Sequence, residues 1–167
     1  GSFILRNYLM RYGKGIDGAI ILGTGIKPKA LIRIVAVLTK ILTVFQGKKH
    51  KSLFINALAF GTYEKRIVNK RTTIDWFSSD TDAVDKYLED DLCGFTFTLN
   101  GFSTLFELMK RTWNQEGLKE IPKKLPILIA SGMEDPVGDY SAGVEKAYKT
   151  YIGVGMTNVS NRIYPGK

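Results

Sequence analysis

The chain has 167 residues, 44% of them hydrophobic and 24% charged, with a formal net charge of +8. That length and apolar content suit one ordinary globular core, or a core carrying an insertion, and exclude a chain disordered by composition. The single cysteine, Cys93, excludes an internal disulfide framework and suits a reducing compartment.

The first predicted element is a helix over "FILRNYLMRYG" (3–13), where Phe3, Ile4, Leu5, Tyr8, Leu9 and Tyr12 form a stripe and Gly13 is the stop. No charged stretch, apolar run and cleavage site are read there, so no signal peptide is expected. "GAIILGTG" (18–25) reads as a short buried strand ending in a glycine loop. A helix followed at once by a strand points to the α/β class. "PKALIRIVAVLTKILTVFQG" (28–47) is a helix with Pro28 in its first turn and Gly47 at its stop. Its polar face is only Arg33, Lys40 and Thr43, so it is either buried on most sides or presents an apolar face. Residues 51–60 form a second, shorter apolar segment.

"SSDTDAVDKYLEDDL" (78–92) opens with capping residues and reads as an acidic surface helix. In "NGFSTLFELMKRTWNQ" (100–115), Phe102, Leu105, Phe106, Met109 and Trp113 share one helical face. "GLKEIPKK" (117–124) reads as a polar connector, followed by a buried strand over 125–131. A helix at about 141–152 and a strand at 158–166 close the chain. No uncharged apolar run approaches the roughly 20 residues of a membrane span, and a cytoplasmic location is expected.

Charge is unevenly spread. Residues 1–74 hold 14 Lys and Arg against 2 Asp and Glu, a balance of +12; residues 75–167 hold 10 against 14, a balance of −4. The basic part peaks over 47–71 and suits contact with an anionic surface, although two solvated faces explain it equally simply. The aromatics lie in apolar faces and are not interleaved with Lys and Arg, so no nucleic-acid partner is expected.

The chemistry centres on "ILIASGMEDPVGDY" (127–140). A buried strand runs into a loop carrying Glu134, Asp135, Pro136 and Asp139. In open α/β sheets, ligands and catalytic groups gather at the carboxyl ends of strands. On the residues alone Asp135 is either a working carboxylate or a turn aspartate before Pro136. The one histidine, His50 in "KKHK", reads as a solvated loop residue, and Cys93 as a buried structural cysteine. Ser2 has no evident base, and Ser131 reads as a small packing or turn residue. "GTGIKPK" (23–29) lacks the spacing of a phosphate-binding loop and reads as a strand-to-helix turn. No metal-ligand spacing occurs, and no metal or cofactor is expected.

Four stretches carry a family resemblance that spans nearly the whole chain. "GSFILRNYL" resembles the segment after the nucleophile elbow, Gly-x-Ser-x-Gly, of α/β-hydrolases in the serine aminopeptidase, monoacylglycerol lipase and lysophospholipase group; Gly1 aligns with the last elbow glycine. "ILIASGMEDPVGDYSAGVEKAYK" resembles the strand, loop and helix that carry that group's triad acid, and "RIYPGK" the strand leading to its histidine. "DLCGFTFTLNGF" (91–102) resembles bacterial members of the lysophospholipase-like branch.

The resemblance implies the C-terminal part of an α/β-hydrolase sheet with an inserted helical cap: core over 1–25, cap over 26–122, core over 123–167. It assigns Asp135 as the triad acid, with the serine before Gly1 and the histidine after Lys167, and Asp139 as a second carboxylate of the same loop. It implies cleavage of carboxylic esters of lipid type, lysophospholipid or monoacylglycerol, with Phe102, Leu105 and Phe106 as candidate substrate-pocket walls. The expected partners are a small-molecule lipid ester, an anionic lipid surface met peripherally, and the remainder of the same hydrolase fold. An aminopeptidase or small-ester hydrolase, or a non-catalytic hydrolase-like binding module, are the rival readings.

Overall fold

The computed structural model describes residues 1–166. Its element order is α1 (Ser2–Tyr12), β1 (Ala19–Leu22), α2 (Lys29–Gln46), α3 (Leu53–Phe60), α4 (Thr81–Glu89), α5 (Leu99–Arg111), α6 (Gln115–Glu120), β2 (Ile127–Gly132), α7 (Ala142–Gly153) and β3 (Val159–Tyr164), with short 3-10 turns between. The expected α/β class is what forms. The chain divides into two compact units, 1–29 with 107–167, and 30–106.

The first unit holds a three-stranded sheet in the order β1-β2-β3. Both pairings are parallel: Ala19 to Leu22 lie opposite Ile127 to Ala130, and Ile127 to Gly132 opposite Val159 to Tyr164. Parallel neighbours need a crossover, and α7 supplies it between β2 and β3. β2 is the central strand and the most buried. Its run of Ile127, Leu128, Ile129 and Ala130 is the near-continuous apolar pattern that parallel sheets require. Ile127 and Ile129 meet Ile21, Leu9 of α1, Leu118 and Ile121 near α6, and Val144, Ala147 and Tyr151 of α7 in one core. Each such aliphatic side chain contributes about 1.5–3 kcal/mol by its removal from water.

Two expectations here need correction. β1 is not a buried strand: only Ile21 is enclosed, while Ile20 and Leu22 are 61% and 64% exposed. It is an edge strand of this sheet, and alternate side chains of a strand point to opposite faces. The connector over 117–124 is helical in its first part. Asn114 caps α6, its side-chain oxygen accepting from the backbone N–H of Glu116 (3.1 Å) and Gly117 (3.3 Å). A six-residue helix is too short to show an apolar period.

The second unit is helical. Ser52 caps α3, accepting from Ile55 N–H at 3.3 Å, and Asp80 caps α4, accepting from Asp82 (3.0 Å) and Ala83 (3.4 Å). Ile32, Val35, Ala36 and Thr39 bury one stripe of α2. Its other apolar positions stay open, and Val44 and Phe45 at its end are each 81% exposed. Of the two expectations for this helix, the presented apolar face is the one that forms. Aromatic rings fill the interior: Phe102 meets Phe60, Phe97 and Phe106 at centroid distances of 6.1, 5.6 and 6.1 Å.

Candidate active site

Asp135 lies three residues beyond the end of β2. Its Oδ2 accepts from the Ser131 hydroxyl at 2.9 Å, and its Oδ1 from the backbone N–H of Val137 at 2.8 Å. The second bond is the side-chain-to-backbone turn that aspartate favours two residues upstream of an N–H. Its own carbonyl accepts from Tyr140 N–H at 3.0 Å, closing the loop. The carboxylate is therefore fixed at both oxygens, and each oxygen keeps a lone pair for a further donor. Ser131, read from sequence as a packing or turn residue, is a hydrogen-bond donor to this carboxylate.

The loop is strained where it turns into α7. Asp139, Tyr140 and Ser141 are consecutive non-glycine residues in the left-handed region, with φ of 53°, 53° and 77°. Each such residue costs on the order of 1–2 kcal/mol. The neighbouring packing holds the turn in place: Gly143 N–H bonds Gly138 carbonyl at 2.8 Å, and the Ser141 hydroxyl donates to Met133 carbonyl at 3.3 Å.

The loop after β1 seats against the acid loop through bare backbone. A Cβ on Gly25 would stand 2.6 Å from the Val137 carbonyl oxygen, closer than atoms pack. Gly23 has φ +54°, and a Cβ there would lie 3.5 Å from Asp135 Oδ2. These glycines let two strand-exit loops touch. Ser2 donates from its hydroxyl to Gly23 carbonyl at 3.1 Å, which occupies the one serine near the start of α1.

Two cations escaped the sequence reading. The Lys27 ammonium donates to Pro136 carbonyl at 2.8 Å. Burial pushes its pKa below the usual lysine value, while the charges of Asp139 and Asp135 pull it back up. Arg6 is 1% exposed, and its Nη1 donates to Gly25 carbonyl at 2.9 Å and to Thr24 Oγ1 at 3.4 Å. Its Nε and Nη2 and the buried Tyr151 hydroxyl find no hydrogen-bond partner among the described residues. Burial raises the Tyr151 pKa, with the Arg6 charge opposing it. Nothing in a helical sequence pattern marks an arginine as buried.

Of the other predicted residues, all but Asp139 lie in the second unit. Phe102 and Phe106 are buried in the aromatic cluster, and Leu105 is half-buried. His50 is exposed in a loop whose backbone accepts from Leu99 N–H at 2.8 Å. Cys93 is half-buried rather than enclosed, and burial with the neighbouring Asp90 pushes its thiol pKa up. Asp139 is exposed. Among the described residues no three His, Cys, Asp or Glu side chains gather as a metal site.

A parallel sheet with a glycine-seated acid loop beyond its central strand is the architecture of the α/β-hydrolases. A carboxyl esterase from Bacillus coagulans, solved in complex with glycerol, is 28% identical with a TM-score of 0.82 over 99% of this chain and 54% of its own. A lipase in an open form gives 0.85 at 21% identity over 99% and 54%. A soluble variant of Saccharomyces cerevisiae monoglyceride lipase, in complex with a substrate analogue, gives 0.62 at 18% over 99% and 50%. These last two speak for the fold alone. The chain spans about half the length of the solved structures it matches. The serine aminopeptidase, S33, profile matches residues 1–167, and the chain belongs to that family. No curated protein matches it in sequence.

Proposed function

We propose that Asp135 is the acid of a Ser-His-Asp triad in a serine hydrolase that cleaves carboxylic esters of lipid type, lysophospholipid or monoacylglycerol. The serine and histidine of that triad lie outside these 167 residues. The observation that carries the reading is a carboxylate held at both oxygens, just beyond the carboxyl end of the central parallel strand, in a chain of this family. In the mechanism the serine oxygen attacks the ester carbonyl while the imidazole takes its proton. The imidazolium returns that proton to the departing alcohol, leaving an acyl-enzyme that water hydrolyses by the same steps. Asp135 accepts the imidazole N–H, fixes its tautomer and stabilises its charged form. Two backbone N–H groups stabilise the oxyanion.

In this reading residues 26–122 form the cap. Phe102, Leu105 and Phe106 wall its acyl site, whose apolar character suits a fatty chain. The exposed Val44 and Phe45, followed by Lys48, Lys49 and Lys51, meet an anionic lipid surface from the cytoplasm. Salt-sensitive cosedimentation with anionic vesicles is expected, and binding to neutral vesicles alone would remove this part. The 167-residue chain by itself is inactive.

The deciding experiment is Asp135→Asn in the intact protein. Turnover of an acyl ester falls about 10⁴-fold through loss of the correct tautomer, with an unchanged circular dichroism spectrum. Undiminished turnover would sink the proposal. The family description favours one second reading, an aminopeptidase on the same scaffold. A series of acyl esters of rising chain length, run beside aminoacyl substrates, separates the two.

A further inference from the structure

The second unit contains a cavity of about 480 Å³, within the range of roughly 300–1,000 Å³ typical of small-molecule sites. Its walls are aromatic: Phe60, Trp76, Phe77, Tyr87, Phe95 and Phe97 all line it. Phe60 and Trp76 lie 17° from parallel with centroids 6.4 Å apart, and Tyr63 sets its edge to Trp76 at 4.9 Å. Phe77 and Tyr87 pack at 4.5 Å, and Phe95 and Phe97 at 5.7 Å. Rings braced on one another in this way hold their positions without a ligand.

The lining of the cavity, unlike the chain as a whole, carries no positive charge. Neither Lys nor Arg lines it, and Glu64 is its one charged lining residue. Lys70 contacts Glu64 Oε2 at 3.2 Å but does not itself line the cavity. Trp76, Phe77 and Tyr87 come from residues 75–91, which hold seven Asp and Glu and one Lys, although Arg71 engages Asp75 and Asp85. Beside Gly94, another lining residue, the Cys93 thiol pKa is raised by burial and by Asp90. Aromatic faces carry negative quadrupole density that attracts a cation placed over them, and no cation lines the cavity to compete for them.

We propose that this cavity is a binding site for a quaternary ammonium group, held over the Trp76, Phe77 and Tyr87 rings with Glu64 as the counter-charge. A methylated ammonium suits it because its charge is spread over apolar methyl groups, so aromatic walls compensate its desolvation. A fatty chain would gain nothing from the carboxylate, and a phosphate would be repelled by it. The site is independent of the ester-cleaving reading.

The test is calorimetric titration of the protein with choline and with its neutral isostere, 3,3-dimethylbutan-1-ol, at constant ionic strength. Choline binds saturably, and at least about tenfold more tightly than the isostere, because the two differ in charge and hardly in shape. Trp76→Leu and Phe77→Leu each weaken choline binding about tenfold, and Glu64→Gln weakens it by a smaller factor. Phe77 is half exposed, so its variant keeps the test open if Trp76→Leu fails to fold. Equal binding of the two ligands, no saturation with choline, or choline binding unmoved in the folded Phe77→Leu variant would each overturn the proposal. Vesicle binding and ester hydrolysis do not enter the readout.

Discussion

The two units are assembled by different means. In the first, strand-exit loops close on each other through backbone. Gly25 stands against Val137 carbonyl, Gly143 donates to Gly138 carbonyl, and Asp135 holds its own turn. In the second, the interior is filled by rings, with Phe102 at the centre of Phe60, Phe97 and Phe106. Backbone seats fix positions to fractions of an ångström, because an added methyl group has nowhere to go. Ring clusters fix volume and leave room for a cavity beside them. A carboxylate that must meet an imidazole at hydrogen-bond distance belongs in the first kind of unit. A pocket that accommodates a ligand belongs in the second.

Substitutions that strike one means of assembly and spare the other sharpen this contrast. The largest effect on stability is expected from Phe102→Ala. It removes a fully buried ring and lowers stability by about 3–5 kcal/mol in denaturant titration, with faster hydrogen exchange in α3 and α5. Gly25→Ala adds a single methyl group at 2.6 Å from a carbonyl oxygen and lowers stability by about 1–3 kcal/mol. Its exchange signature falls on residues 132–141, the acid loop. An equal rise in both regions for either variant would break the distinction.

Asp80→Ala removes the two bonds that cap α4 and costs about 1 kcal/mol, read from the same titrations. Tyr151→Phe is expected to be the mildest, within about 0.5 kcal/mol at neutral pH, because the hydroxyl it deletes makes no well-formed hydrogen bond, Arg6 only approaching it. Its effect emerges in alkali. The folded Tyr151 pKa is raised above the unfolded value of 10.0. Its stability contribution is therefore complete below that value and is lost as pH rises through the folded pKa. The Phe variant loses this alkaline limb, and identical pH profiles would refute the assignment.

Much of the first unit could be read directly. The apolar run of β2 and the acid loop after it are strong patterns, and Asp135 stood out because a carboxylate beside Pro136 breaks so apolar a segment. The helix α1 forms where expected, but of its apolar stripe Ile4, Tyr8 and Tyr12 are exposed and only Leu9 is fully buried. Other features had no pattern to show. Arg6 reads as a polar residue on a helix until Gly25 carbonyl and Tyr151 surround it. The role of Gly25 depends on Val137, more than a hundred residues away. The openness of β1 on the face of Ile20 and Leu22 depends on what covers that face, which no strand declares about itself. In the second unit, the sequence located α2, α4 and α5 but left α3 as an apolar segment without a type. It could not show that Trp76, Phe77 and Tyr87 share a cavity with Phe95 and Phe97, since those contacts join separate segments.

Lys27 has a use beyond its bond to Pro136. An amine whose protonated form is disfavoured by burial holds more neutral nitrogen at mild pH than an ordinary surface lysine does. Neutral nitrogen is the nucleophile toward activated esters and anhydrides. The charges of Asp139 and Asp135 favour the protonated form instead, and half-burial limits a reagent's access. A reporter attached there would sit beside the acid loop and view it spectroscopically, at the cost of the charge and the bond that Lys27 gives to the Pro136 carbonyl.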